Sequence, residues 1–102
     1  MDSFVKVLGI LVDIESVERR FLEIAAGRVT PEKFAVIALP DQRKEHVLVA
    51  VFEGEIPNDC VEDYQRVAPG LEQIQKSVSI EKFPRSSLGK LRRGELVEMY
   101  GI

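Results

Sequence analysis

Two apolar runs with a polar break between them set the architecture: residues 34–39 (FAVIAL) and 46–52 (HVLVAVF), separated by Pro40-Asp41-Gln42-Arg43-Lys44-Glu45. Each run is short for a helix and rich in branched or aromatic side chains, so each reads as a buried strand. Joined by that polar connection, the pair predicts an antiparallel hairpin with an open loop. A chain of 102 residues can bury one core without staples. The remaining segments must therefore cover the hairpin.

Phe4-Val5 with Val7-Leu8, and then Ile10-Leu11-Val12, form short apolar pieces divided by Gly9, which predicts a small ribbon bent at that glycine. Asp13 is a candidate N-cap for a helix running to about Ala26, with Ile14, Val17, Phe21, Leu22, Ile24 and Ala25 on one face and Gly27 as the stop. Thr30-Pro31-Glu32 is a turn. Pro57-Asn58-Asp59 introduces a second helix, with Asp59 and Glu62 at capping-box spacing, a face of Cys60, Val61, Tyr64, Val67 and Ala68, and Pro69-Gly70 as its end. Residues 71–76 have no assignable type. Val78 and Ile80 alternate with polar neighbours, predicting a third strand over 77–83, and the last helix turns Leu91, Leu96, Met99 and Tyr100 inward. The fold class is thus α+β: a small mixed or antiparallel three-stranded sheet with an N-terminal β-ribbon, covered by three helices, as one domain over 1–102.

Composition excludes more than it selects. A net charge of −3 does not announce a nucleic-acid or membrane-surface binder. No apolar run approaches the ~20 residues of a membrane span, and Met1-Asp2-Ser3 does not open a signal peptide. One cysteine, Cys60, leaves no internal disulfide and fits a reducing compartment, so the cytoplasm is the expected location. With one histidine and one cysteine, no structural zinc site is expected, and the metal-ligand set is empty.

The segment with chemical character is Phe83-Pro84-Arg85-Ser86-Ser87-Leu88-Gly89-Lys90-Leu91-Arg92-Arg93. Proline stops what precedes it, serines and glycine favour a tight turn, and Lys90 presents a mobile point charge suited to an anion. This segment is similar to the terminal signature of the acyl-adenylate-forming superfamily, which includes acyl- and aryl-CoA synthetases, peptide-synthetase adenylation domains and luciferases. Pro84, Arg85, Gly89, Lys90 and Arg93 match it, with Ser86 in place of threonine. Upstream, Leu39-Pro40-Asp41 followed by Glu45 resembles the family's turn before its long strand. Residues 2–9 followed by Val12 and Val17-Glu18 resemble its hinge, glycine loop and helix start. The departures are Ser16 for an acidic residue, Ile14 for a proline, Lys44 for a glycine and a missing second proline after Pro69; they bear on subfamily.

The resemblance covers the chain but only the family's small C-terminal domain, and it implies a mobile lid without its large N-terminal partner. It implies that Lys90 serves carboxylate adenylation by ATP (with Mg2+), that Arg85, Ser86, Gly89 and Arg93 shape the loop or face phosphate, and that Asp2 is the hinge. It implies further that Lys6 and Gly9 belong to a loop at the coenzyme A channel, serving thioester formation. No Ser/Thr/Gly-rich phosphate loop ending in lysine occurs in the chain, so it should be inactive alone. Ile10-Leu11-Val12 lacks the Arg-Ile-Glu run typical of peptide synthetases, which favours a coenzyme A ligase over such an adenylation-domain fragment. The partners implied are the N-terminal domain, a carboxylic acid, ATP and coenzyme A.

Plainer readings stand beside these. Lys90 could be a solvated lysine opening a helix, Gly9 a turn glycine, Asp2 a frayed terminus, His46 structural and Cys60 core. A free-standing interaction module of the same fold acting in trans is the alternative function. An RNA- or phosphate-binding patch of Lys82, Arg85, Lys90, Arg92 and Arg93 lacks the aromatic residues that stack on bases.

Overall fold

The computed structural model describes residues 4–100. The two apolar runs form the predicted antiparallel hairpin, β3 (Phe34–Asp41) against β4 (Glu45–Glu53), in the register Phe34 opposite Phe52 through Asp41 opposite Glu45. Its connection is tighter than the open loop expected. The Asp41 carboxylate accepts the N–H of Arg43 at 3.0 Å and of Lys44 at 2.9 Å, closing an Asx-type turn. Those two bonds, Lys44's first, hold the Asp41 carboxyl below its ordinary pKa.

The third strand, β5 (Ile74–Ile80), pairs with β4 in parallel, so the sheet is mixed and ordered β3-β4-β5. It starts earlier than residue 77 because its register follows β4: Ile74 pairs with Leu48, and a bulge at Leu48/Val49 precedes the pairing of Val49 with Lys76. A parallel pair needs a crossover, which α2 (Asn58–Val67) supplies. Among the described residues α1 (Ile14–Ala25) and α3 (Arg93–Tyr100) complete the helices, and β1 (Phe4–Val7) with β2 (Ile10–Asp13) forms the ribbon. None of these helices is long and apolar enough to cross a membrane.

Alternation along β3 and β4 divides the core in two. Phe34, Val36, Leu48, Ala50 and Phe52 face α1, α2 and the ribbon; Ala35, Ile37, Val49 and Val51 face Ile80, Phe83 and Leu96 of α3. On the first face Phe21 stacks on Phe34 at 4.5 Å between ring centres and lies 5.9 Å from Phe52 and 5.4 Å from Tyr64. The buried Tyr64 hydroxyl donates to the Glu72 carbonyl at 2.7 Å, and burial pushes its pKa up to about 12.

Local details depart from expectation for physical reasons. Asp13 caps α1 as predicted, accepting the Glu15 N–H at 3.1 Å, but the helix turns left-handed at Ala26, with Gly27 following at φ +87°. The Asp59–Glu62 capping box does not form. Pro57 is the cap, and Asp59 sits inside the first turn paired with Arg28 at 2.8 Å. Val67 and Met99, expected inward, are 64% and 53% exposed. Both lie in the last turn of a short helix.

Candidate functional site

The Lys90 segment is a miniature hairpin pinned at its base. Phe83 is buried in the second core cluster, and its N–H donates to the Glu53 carboxylate at 2.8 Å, so the chain leaves the sheet at a fixed point. Beyond it Arg85 bridges Leu91 antiparallel, and the Arg92 N–H donates to the Pro84 carbonyl at 2.9 Å. The tip closes through Ser86 N–H to the Lys90 carbonyl (2.8 Å) and Gly89 N–H to the Ser86 carbonyl (2.9 Å), with Gly89 at φ +83°. A left-handed residue there favours glycine. The Ser86 hydroxyl accepts the N–H of Leu88 at 3.3 Å and of Lys90 at 3.2 Å, satisfying two tip donors at once.

The two signature arginines both turn toward the domain. Arg85 donates to the Gly89 carbonyl at 3.1 Å and to the Glu32 carbonyl, with its guanidinium 5.7 Å from the centre of the Phe83 ring. Arg93 donates one nitrogen to Glu18 and to the Val36 carbonyl, each at 2.6 Å, and the other to Glu18 at 3.3 Å. It therefore ties α3 to α1 and β3 in one fork. Arg92 pairs with Glu95 at 3.2 Å. Lys90 differs: it is exposed, and among the described residues its ammonium has neither a carboxylate nor a carbonyl partner.

A consequence for Arg93 is measurable. Arg93→Ala should lower the stability of the domain by about 1–2 kcal/mol, because charged hydrogen bonds contribute about that much after allowance for solvent screening. Urea unfolding followed by circular dichroism checks this; an unchanged midpoint would mean that the fork does not hold α3.

The Gly9 loop is built differently. Leu8 (φ +52°) and Gly9 (φ +80°) form the two-residue turn of the ribbon, the left-handed pair that hairpin twist prefers. The Leu8 N–H donates to the Lys44 carbonyl at 2.9 Å and the Gly9 N–H to the Glu45 carboxylate at 2.5 Å. His46 Nδ1 lies 3.0 Å from the Lys6 carbonyl, and the Lys6 side chain points out exposed. The β3–β4 turn thus holds the glycine loop. A Cβ on Gly9 would meet only Glu45 Oε1, at 4.0 Å, so φ rather than space within this domain selects glycine. Asp2 lies outside the described residues.

The structure therefore does not bring the expected site residues together. Arg85 ties the Lys90 hairpin to Glu32, beside the start of β3, whereas Gly9 is tied to Glu45, opposite the end of β3. Eight strand residues separate these ends by about 24 Å. Sequence reasoning missed the anchoring roles of Glu18, Glu45, Glu53 and Glu32. Their partners lie 75, 36, 30 and 53 residues away, where no local pattern could reveal them.

The sequence matches no protein-family model and no curated protein. Solved structures do share the fold. An acyl-CoA synthetase (AMP-forming)/AMP-acid ligase II-like protein from Dyadobacter fermentans superposes with TM-score 0.83 at 14% identity, over 96% of this chain and 29% of that one. ATP-bound MatB from Rhodopseudomonas palustris gives 0.75 at 21%, over 97% of this chain and 20% of its own. The fatty acyl CoA synthetase of Mycobacterium tuberculosis gives 0.74 at 22%, over 96% and 20%. This chain accordingly has the fold of a segment of AMP-forming acyl-CoA synthetases, and it spans only 20–29% of the length of those three proteins.

Proposed function

We propose that the chain is the mobile C-terminal domain of an AMP-forming acyl- or aryl-CoA synthetase, working in the cytoplasm with a large adenylate-forming N-terminal body. The observation that carries this reading is the exposed ammonium of Lys90, unpaired among the described residues, on a hairpin held by Ser86, Gly89 and Arg85, within a fold shared with acyl-CoA synthetases. In the first step a carboxylate oxygen attacks the α-phosphorus of ATP, the bond to the bridging oxygen breaks, and pyrophosphate leaves. Lys90 offsets the negative charge that gathers as two anions meet. Arg85, Ser86, Gly89 and Arg93 keep the loop in one shape. In the second step the thiol of coenzyme A attacks the acyl carbon and AMP leaves; the Gly9 loop, with Lys6 beside it, lines the approach of the thiol arm.

Because the two loops sit at opposite ends of one hairpin, a single cleft in the body receives them only in turn. Rotation at Asp2, the proposed hinge, alternates them. Mg2+ would enter with the phosphates of ATP, its usual ligands beside one or two carboxylates.

The test is a pyrophosphate assay. With ATP, Mg2+ and a panel of carboxylic acids, this chain alone is expected to release nothing, and the assembled enzyme (this chain joined to the body, or added to it) to be active. Turnover by the chain alone would overturn the reading.

A further inference from the structure

Leu88 is 84% exposed, well beyond Phe4, Leu8, Ile10, Leu11, Val67 and Met99 at 52–64%. It occupies the tip of the Lys90 hairpin, where turn chemistry favours polar residues or glycine. Nothing in the turn requires a leucine: Ser86 takes its N–H at 3.3 Å, and its side chain is left in water. The tip is also a defined turn, in which the Ser86 hydroxyl accepts the N–H groups of Leu88 and Lys90 together. Closure that brings the Lys90 ammonium to its anions brings Leu88, two residues away on the same turn, up to the body with it.

We propose that Leu88 is a positioning residue for adenylation, an apolar plug that seats against an apolar wall of the body's cleft and excludes water around Lys90. This rests on the function proposed above. The physical need is specific: the attraction between an ammonium and an anion is strong only where water is scarce. Burying a leucine on closure favours the closed state and dries the site in one contact. The occupant is the large body, since the leucine shares its turn with the one signature cation that the fold leaves unpaired among the described residues.

The assembled enzyme tests this through single-turnover acyl-AMP formation with Leu88→Ser, Leu88→Met and, as a reference for the parent reading, Lys90→Ala. Leu88→Ser should slow the step roughly 10- to 100-fold, the loss that one unburied leucine predicts. Leu88→Met keeps the apolar volume and should stay near the wild-type rate. Thermal unfolding, and thioester formation from preformed acyl-AMP, should be unchanged in both. Wild-type adenylation by Leu88→Ser, equal slowing of both half-reactions, or a Leu88→Met as slow as Leu88→Ser would each overturn the plug. If Lys90→Ala is slow while Leu88→Ser is not, only the plug falls; if Lys90→Ala is also undiminished, the parent reading falls with it.

Discussion

Lys90→Ala in the assembled enzyme should slow acyl-AMP formation about 10²–10³-fold, the usual loss when one charge-stabilising donor is removed from a transition state. The effect comes from where the ammonium acts. At about 4 Å from an anion it contributes ~1 kcal/mol in water but ~4 kcal/mol at an effective dielectric of 20, so only a closed, dry cleft gives a loss of this size. Lys90 is exposed with no carboxylate partner among the described residues, so removing it should leave the unfolding midpoint unchanged. Thioester formation from preformed acyl-AMP should be largely spared, because in the proposed second step it is the Gly9 end that would face the body. Lys90→Arg should recover little: a planar fork cannot replace a compact charge that must reach between two reactants. Single-turnover measurements of the two half-reactions decide it, and equal damage to both would make Lys90 a structural residue.

How much of this was legible beforehand depended on the range of the interaction. Hairpin, ribbon and the first two helices are written in local periodicity, and the structure has them within a residue or two of that reading, at 4–13, 14–25, 34–53 and 58–67. The mixed sheet was one of two options, and alternation alone could not choose. Parallel pairing of β5 with β4 goes with the α2 crossover, and a bulge at Leu48/Val49 shifts its register; neither changes the pattern of apolar residues in β5 itself. For the site, local turn chemistry foretold a tight loop around Gly89, and Gly89 at φ +83° with Ser86 beneath it agrees. What could not be read was the direction of each cation. Five basic residues in twelve look alike in a sequence, yet Arg93 binds Glu18 across 75 residues, Arg92 binds its neighbour Glu95, and Arg85 binds carbonyls. Sorting them by partner leaves Lys82 and Lys90 without one among the described residues, and of these two only Lys90 lies on the hairpin that Arg85 and Leu91 close.

Phe21→Ala should destabilise the domain by about 3–5 kcal/mol, the range for deleting a buried aromatic side chain. Phe21 has no solvent exposure and touches three other rings, stacking on Phe34 and lying against Phe52 and Tyr64. Phe34 and Phe52 are themselves cross-strand partners, so one side chain fastens α1 to both strands of the central hairpin and to α2. The surrounding rings are large and rigid, and the cavity cannot collapse fully, which places the cost toward the upper part of the range. A domain of this size typically has only 5–15 kcal/mol in total. Urea unfolding should therefore show a much lower midpoint with an unchanged slope. The consequence reaches the loop through α1. Glu18, one turn before Phe21, holds Arg93 at the start of α3, and the Lys90 hairpin leads directly into that helix. Loosening α1 should thus blur the position of Lys90 as well as lower stability. In the assembled enzyme, well below its new unfolding midpoint, Phe21→Ala should still show slower adenylation, and adding Arg93→Ala should cost less than it does in the wild-type background. Additive losses would mean that the aromatic cluster and the Arg93 fork support the loop independently, and that α1 is not the element through which the core fixes the lysine.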